Sequence, residues 1–424
     1  MRSRDRLVAL VCMVAVVANG CWSITDASSI ALASAFGVDA GVGPGLMLAV
    51  ELVNPKMAGG LLGGAGAAQN PTRVLYSVAN SVFEALGVLD TNIGKQIFLG
   101  ESEAVLIGKR LATAGVTPAL DFVTRQHQLR RTIFVIVADS DVPRTLSTPV
   151  IRDTAAEELR GLLDNGRFTG QTAAITANTF LSDLALPGIE PVAPVVSLVE
   201  LPQARSVERT GLSAATQGSK GGREGREHVE GEGEKRPEVM QMNKMAVFKH
   251  DKLVGILTPA ESRGLLWLRG RVSGTVINIP ALTGGGFTMV ELVRTRTSVT
   301  AKIGKDGSIG FQVKIESTGE VADVPVLAEN VASLARVREI ESQVAQVIEA
   351  EVVACLSRLQ GESGTDSVGL GLLVYRQNPD LWRGIGEGWD EVFRTVPVAV
   401  EAKVKTRSTG TTFSGITPRK QVPD

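Results

Sequence analysis

The 424 residues exceed one ordinary domain, and two or three domains of roughly 100–200 residues each is the natural division. Hydrophobic residues make up 44% and aromatics 4%, so a core can form but must be built from small aliphatics. A formal net charge of −1 gives no basic face for nucleic acid, three cysteines exclude a disulfide framework or a four-cysteine zinc site, and three histidines (His127, His228, His250) leave little for metal or triad chemistry.

Arg2, Arg4 and Arg6 precede an apolar run from Leu7 to Ala18 that is too short to span a membrane, which takes ~20 residues. Small residues then lead to Cys21. Two readings fit: a cleaved signal peptide with an incidental cysteine, or a bacterial lipoprotein signal in which the Cys21 thiol is acylated and becomes the mature N-terminus. A lipoprotein signal usually has Leu three residues before the cysteine, and here that residue is Ala18. Two acyl chains hold a protein on a membrane where one is marginal. Removal of residues 1–20 takes away Arg2, Arg4, Arg6 and Asp5 and leaves the mature chain more acidic.

Residues 21–202 read as an N-terminal α+β region. Residues 30–38 form a strand expected to turn at Asp39, with residues 46–53 as its hairpin partner. Gly59 to Gly66 is a glycine loop without the Gly-Lys-Ser/Thr ending of a phosphate-binding loop. Residues 74–78 are a strand, 81–92 a helix, 104–107 a buried strand, 116–129 a helix and 132–138 a strand. Helices follow at 154–163 and 173–184. Residues 203–240, rich in Gly, Arg, Glu and Ser, cannot bury enough apolar area to offset their ordering entropy and are expected to be a disordered linker and domain boundary.

Residues 241–407 read as a C-terminal α+β domain. A hairpin has His250-Asp251-Lys252 at its tip; Thr258, Pro259 and Glu261 then open a helix through Leu268 as N-cap, first residue and N3. Strands are expected at 275–279, 287–296, 298–303 and 308–316. Over 331–359, Leu334, Val337, Ile340, Val344, Val347, Ile348, Val352, Cys355 and Leu359 repeat at three or four residues, the stripe of a long helix, with Cys355 a buried small hydrophobe. Residues 396–406 alternate as an edge or surface strand, and 408–424 form a loose tail. Strands and helices do not alternate regularly enough for a doubly wound sheet, so the fold class is α+β, multi-domain, with mixed sheets and packed helices.

Several blocks, taken in order, resemble one family. They are Gly20-Cys21-Trp22 with residues 31–38 and Asp39; Val50-Glu51-Leu52-Val53-Asn54-Pro55; residues 104–112 with Gly115, Leu120-Asp121-Phe122, Arg125 and Leu129-Arg130-Arg131; residues 253–258 with Glu261 and Arg263-Gly264; and Leu359-Gln360, Asp366, Gly369, Tyr375 to Trp382 and Trp389. This order resembles the Ger(x)C family, the lipoprotein C subunits of spore germinant receptors. Glu51 stands where the family usually has glutamine, and Glu101 or Ser102 where it often has histidine. The resemblance implies a three-domain α+β protein without enzymatic activity or cofactor. It would be tethered at the outer face of the spore inner membrane beside the integral-membrane A and B subunits and act in nutrient-triggered germination.

Two groups stand out as partner contacts. Asp121, Arg125, Arg130 and Arg131 form either a charged docking patch or cations gathered at a helix C-terminus. Arg376, Asn378 and Trp382, with Trp389, form either an aromatic, Arg-rich interface or core filling beside an Asn-Pro turn. Gln360 and Asp366 are expected to order the loop after the long helix by local hydrogen bonds. Two other classes are a solute-binding lipoprotein of a transporter and a cell-wall hydrolase using Glu157/Glu158 or Asp390/Glu391, whose adjacent carboxyls point apart.

Overall fold

The computed structural model describes residues 29–54, 72–200, 237–281, 286–304, 306–323 and 334–408. Cys21, the glycine loop at 59–66, His228 and the other residues of 201–236, and 409–424 lie outside the described residues.

The first sheet has 9 strands, in the order β3-β2-β1-β5-β6-β7-β8-β9 with β4 beside β1. They are β1 (Ile30–Ala40), β2 (Leu46–Val53), β3 (Thr72–Ala79), β4 (Gln96–Phe98), β5 (Ala104–Gly108), β6 (Phe134–Ala138), β7 (Val192–Glu200), β8 (Glu238–Lys249) and β9 (Lys252–Ile256). The middle of the sheet, β1-β5-β6-β7, is parallel, and antiparallel hairpin strands extend it on both sides. Strand β5 is buried at every residue, as a strand covered on both faces must be. Val105 and Ile107 enter one core, while Ala104 and Leu106 enter a smaller one on the opposite face.

Helices α1 (Val82–Ile93), α2 (Lys109–Ala114), α3 (Thr117–Arg125), α4 (Val142–Ser147), α5 (Ala155–Thr169) and α6 (Ala177–Ala185) flank this sheet. Capping explains several starts. Ser81, Asp141, Thr154 and Thr176 each accept a backbone N–H from the first turn of the helix that follows.

Helix α7 (Pro259–Leu268) begins with the expected capping box: Thr258 accepts the Glu261 N–H at 3.3 Å and Glu261 accepts the Thr258 N–H at 2.8 Å. It lies against α8 (Leu334–Arg358), whose Ile340, Val344, Ile348, Val352 and Cys355 are buried. The two backbones approach so closely that a Cβ on Gly264 would meet the Glu351 carbonyl oxygen. Beyond them is a 4-stranded sheet, β10 (Thr275–Pro280), β11 (Phe287–Ile303), β12 (Ile309–Asp323) and β13 (Val398–Ser408). Its inner residues Ile277, Val290, Phe311 and Ile315 join the larger core of the first sheet, so one hydrophobic cluster runs through both. The chain closes with α9 (Leu370–Gln377), α10 (Pro379–Ile385) and α11 (Trp389–Thr395).

Several details differ from expectation. Strand β1 continues through Asp39, and the turn falls at Gly41–Gly45. The helix expected over 116–129 stops at Arg125, because Gln126 turns extended. The two strands expected at 287–303 are one, since Thr297 carries no turn chemistry and a bulge between Leu292 and Arg294 takes up the change of register. Strand β7 has no counterpart among the elements expected from the sequence. It pairs with β8 from Val192↔Val247 to Glu200↔Glu238, so the segment placed at 203–240 connects neighbours in one sheet and Glu238 to Met240 already belong to β8.

Candidate functional site

The N-terminal motif blocks meet inside the fold. Asp39 is 3% exposed and lies at the start of α2, where it accepts the Leu111 N–H at 3.2 Å and the Arg110 guanidinium at 3.1 Å. A Cβ on Gly108 would overlap the Asp39 carboxyl. This contact accounts for an aspartate at the end of one block and Gly108-Lys109-Arg110-Leu111 in another.

The residues Asp121, Arg125, Arg130 and Arg131 are all exposed, but they do not form one cluster. Asp121 and Arg125 make an i,i+4 pair of 2.7 Å on α3. Arg130 lines a cleft of about 300 Å³ with Glu103 and Arg160, and the Arg131 carbonyl accepts the Asn178 N–H at 2.9 Å. Neither arginine is bonded to the Asp121–Arg125 pair. His127 is exposed as well.

The C-terminal group converges on Asp366. Helix α8 gives way to a single π turn over Leu359–Ser363, and Gly364 then adopts φ 56° and turns the chain inward. Asp366 is 1% exposed. One carboxylate oxygen accepts the N–H groups of Val368, Gly369 and Leu370 at 3.2, 2.8 and 3.2 Å; the other accepts that of Gly371 at 2.7 Å and the Trp389 indole N–H at 3.0 Å. Burial pushes this carboxyl up from the ordinary aspartate range while the backbone and indole donors pull it down. The expected local ordering by Asp366 is therefore present, with the indole added. Gln360 acts at a distance instead, donating to the Phe393 and Val396 carbonyls at 2.9 Å each.

Around Asp366 three chain segments are bound together. Its carbonyl accepts the Glu190 N–H at 2.9 Å, and the Gly188 carbonyl accepts the Leu372 N–H at 2.7 Å. The approach is close enough that a Cβ on Gly371 would strike both Gly188 and Trp389. Arg269, at the end of α7, donates to Asp183 at 2.9 Å, to the Glu190 carbonyl at 2.9 Å and to the Ser367 carbonyl at 2.6 Å. Burial lowers the Arg269 pKa and the adjacent Asp183 opposes that. Of these residues, Asp183, Gly188, Glu190 and Arg269 carried no motif; the Pro187-Gly188 dipeptide marks only a turn.

Trp389 is buried, with Trp382 tilted against it at a centroid distance of 5.5 Å and Tyr375 edge-on to Trp382 at 6.1 Å. Asn378 caps α10 by accepting the Leu381 N–H at 3.1 Å, and Arg376 is exposed. Loop 186–190, His250 at the β8–β9 turn and the Trp382 to Asp390 segment enclose a cleft of about 510 Å³. Its walls supply carboxylates and an indole, the means to hold a ligand. Among the described residues no group of three or more His, Cys, Asp or Glu side chains could hold a metal ion, and no helix is long and apolar enough to cross a membrane. Cys355 is buried against α7 and its thiol is raised beyond the physiological range by burial.

Comparison with known proteins decides the family. A model described as "Spore germination protein N-terminal domain" matches residues 24–198, and "Spore germination B3/ GerAC like, C-terminal" matches residues 243–410. The chain belongs to the Ger(x)C family. Bacillus subtilis spore germination protein KC is 24% identical over 95% of both chains, and its putative spore germination protein YfkR is 23% identical over 95% of this chain and 96% of its own. The crystal structure of the GerBC protein shares the fold, with a TM-score of 0.53 at 15% identity over 88% of this chain and 96% of that one. The α+β, multi-domain expectation holds, and Ger(x)C membership supports a role in spore germination.

Proposed function

We propose that this Ger(x)C protein is exported, acylated on Cys21, and held at the outer face of the spore inner membrane. There it acts as a non-enzymatic subunit of a germinant receptor through contacts with the integral-membrane A and B subunits. The observation that carries the reading is the ordered match of both family models, with Cys21 just ahead of the first matched residue. Support for a tether comes from the N-terminal pattern itself: arginines, a short apolar run and a cysteine after small residues. The exposed Asp121, Arg125, Arg130, Arg131 and Arg376, and the partly exposed Trp382, are the surfaces we assign to partner contact; Asn378 supports Trp382 by capping its helix.

Deletion of the gene in a strain without a redundant receptor, followed by nutrient-triggered germination, tests the role. Loss of germination, restored by the wild-type gene, is expected. Detergent-solubilised membranes should also yield the A and B subunits with the tagged protein. Normal germination in the deletion strain would overturn the proposal.

A further inference from the structure

The cleft beside Asp366 has an unbalanced charge. Glu190 is 15% exposed, and its two oxygens face the His250 backbone N–H at 2.7 Å and the His250 imidazole at 3.4 Å, neither of them a fixed cation. Burial raises the Glu190 pKa and Asp390 adds to that, against lowering by His250 and Lys249. Lys249 is itself paired with Asp390 at 2.7 Å, and Arg383 with Asp380 at 2.6 Å. Glu387 is exposed on the cleft wall and makes no ion pair among the described residues. Asp366 is already saturated by N–H donors. Glu190 and Glu387 thus line one cleft, and among the described residues no lysine or arginine pairs with either carboxyl; the other charged lining side chains, Arg383 and Asp390, are paired with Asp380 and Lys249.

The same space is walled by the half-buried Trp382 and the buried Trp389 packed against it, with Tyr375 edge-on to Trp382. An indole presents a negative π face, the strongest aromatic partner for a cation, and its value rises where water is partly excluded. A volume of about 510 Å³ lies in the size range of small-molecule sites. We propose that this cleft binds a small organic cation, a primary ammonium or quaternary ammonium group, seated between the Trp382 ring and the carboxylates of Glu190 and Glu387. The proposal needs neither the lipid anchor nor the receptor partners, and it stands or falls on the purified protein.

The probes are butylammonium and tetramethylammonium chloride, titrated into the full chain in detergent by calorimetry and by tryptophan fluorescence, with sodium chloride at equal ionic strength as reference. Saturable binding of at least one organic cation is expected, with a fluorescence change that sodium does not produce. Glu190→Gln and Trp382→Leu should each weaken binding roughly tenfold or more. Glu387→Gln alters an exposed side chain and keeps the fold, so it gives a reading even if Glu190→Gln does not fold; it should weaken binding measurably. Absence of saturable binding, an equal response to sodium, or unchanged affinity in Glu387→Gln and Trp382→Leu would each overturn the proposal.

Discussion

Glu51 is 1% exposed and lies at the N-terminus of α5, accepting the Ala155 and Ala156 N–H groups at 2.8 and 3.3 Å and the Ser34 hydroxyl at 2.7 Å. Burial raises its pKa above the ordinary glutamate range, and those donors limit the rise. A carboxyl raised in this way binds its proton more tightly in the folded chain than in the unfolded one. Its contribution therefore favours folding below the ordinary glutamate range and is lost as pH rises through that range to the folded value. A glutamine at this position would keep an acceptor for the helix N–H groups without a charge. Glu51→Gln should flatten the stability profile from mildly acidic to neutral pH, read by urea denaturation at each pH; an unchanged slope would contradict the assignment. Burial raises Asp366 in the same way, and its side chain accepts five N–H donors. Asp366→Asn turns an amide toward them and should cost about 3 kcal/mol, by the loss of charge-assisted bonds and the stranding of buried donors. A change below about 0.5 kcal/mol would show that the loop holds without it.

At the scale of elements, β13 shows how the fold handles an exposed edge. It is the last strand of its sheet, and the Ala402 and Thr406 N–H groups pointing away from β12 are accepted by Glu349 at 2.9 Å and Glu341 at 2.7 Å, both on α8. Eight residues of helix rise about 12 Å and four residues of strand about 13 Å, so the two carboxylates match the two amides. Charged side chains over an edge discourage pairing with another chain. The double variant Glu341→Ala/Glu349→Ala should lose about 1–2 kcal/mol and self-associate in sedimentation runs; a monomer of unchanged stability would contradict this role. The same pair of elements marks what the sequence made legible. The α8 stripe and the alternation of residues 396–406 are periodic, and both elements form close to where the pattern puts them. Strand β7 was missed because, buried between β6 and β8, it does not alternate and Pro194 interrupts it. The carboxylates on the β13 edge, and Glu190 in the cleft, are set by tertiary contacts that no local spacing announces.

For the molecule as a whole, the class of fold was readable from the irregular succession of strands and helices and the family from the order of blocks, whereas the joining of the two halves was not. A charged, Gly-rich stretch looks alike whether it joins two domains or connects two paired strands. Here Glu200 and Glu238 are paired neighbours, and the larger core continues from the first sheet through α7 and α8 into the second. Replacing residues 201–237 by a turn of about five residues should leave the fold intact and stabilise it by about 2 kcal/mol, since closing a shorter loop costs less entropy. A lower denaturation midpoint, or unfolding of one sheet before the other, would contradict a single body built across that segment. The candidate contacts divide in the same way. Trp382 and Trp389 stand out in the sequence, but the burial of Trp389 beside Asp366 is set by tertiary contacts, and Arg130 and Arg131 lie apart from the Asp121–Arg125 pair.

The central claim, a receptor subunit held on a membrane by its N-terminal cysteine, is tested most directly by radiolabelled palmitate incorporation with membrane fractionation, comparing wild type with Cys21→Ala. A labelled wild type in the membrane fraction is expected, with a variant that loses label and membrane association together. A wild type that is unlabelled and free of the membrane would contradict it.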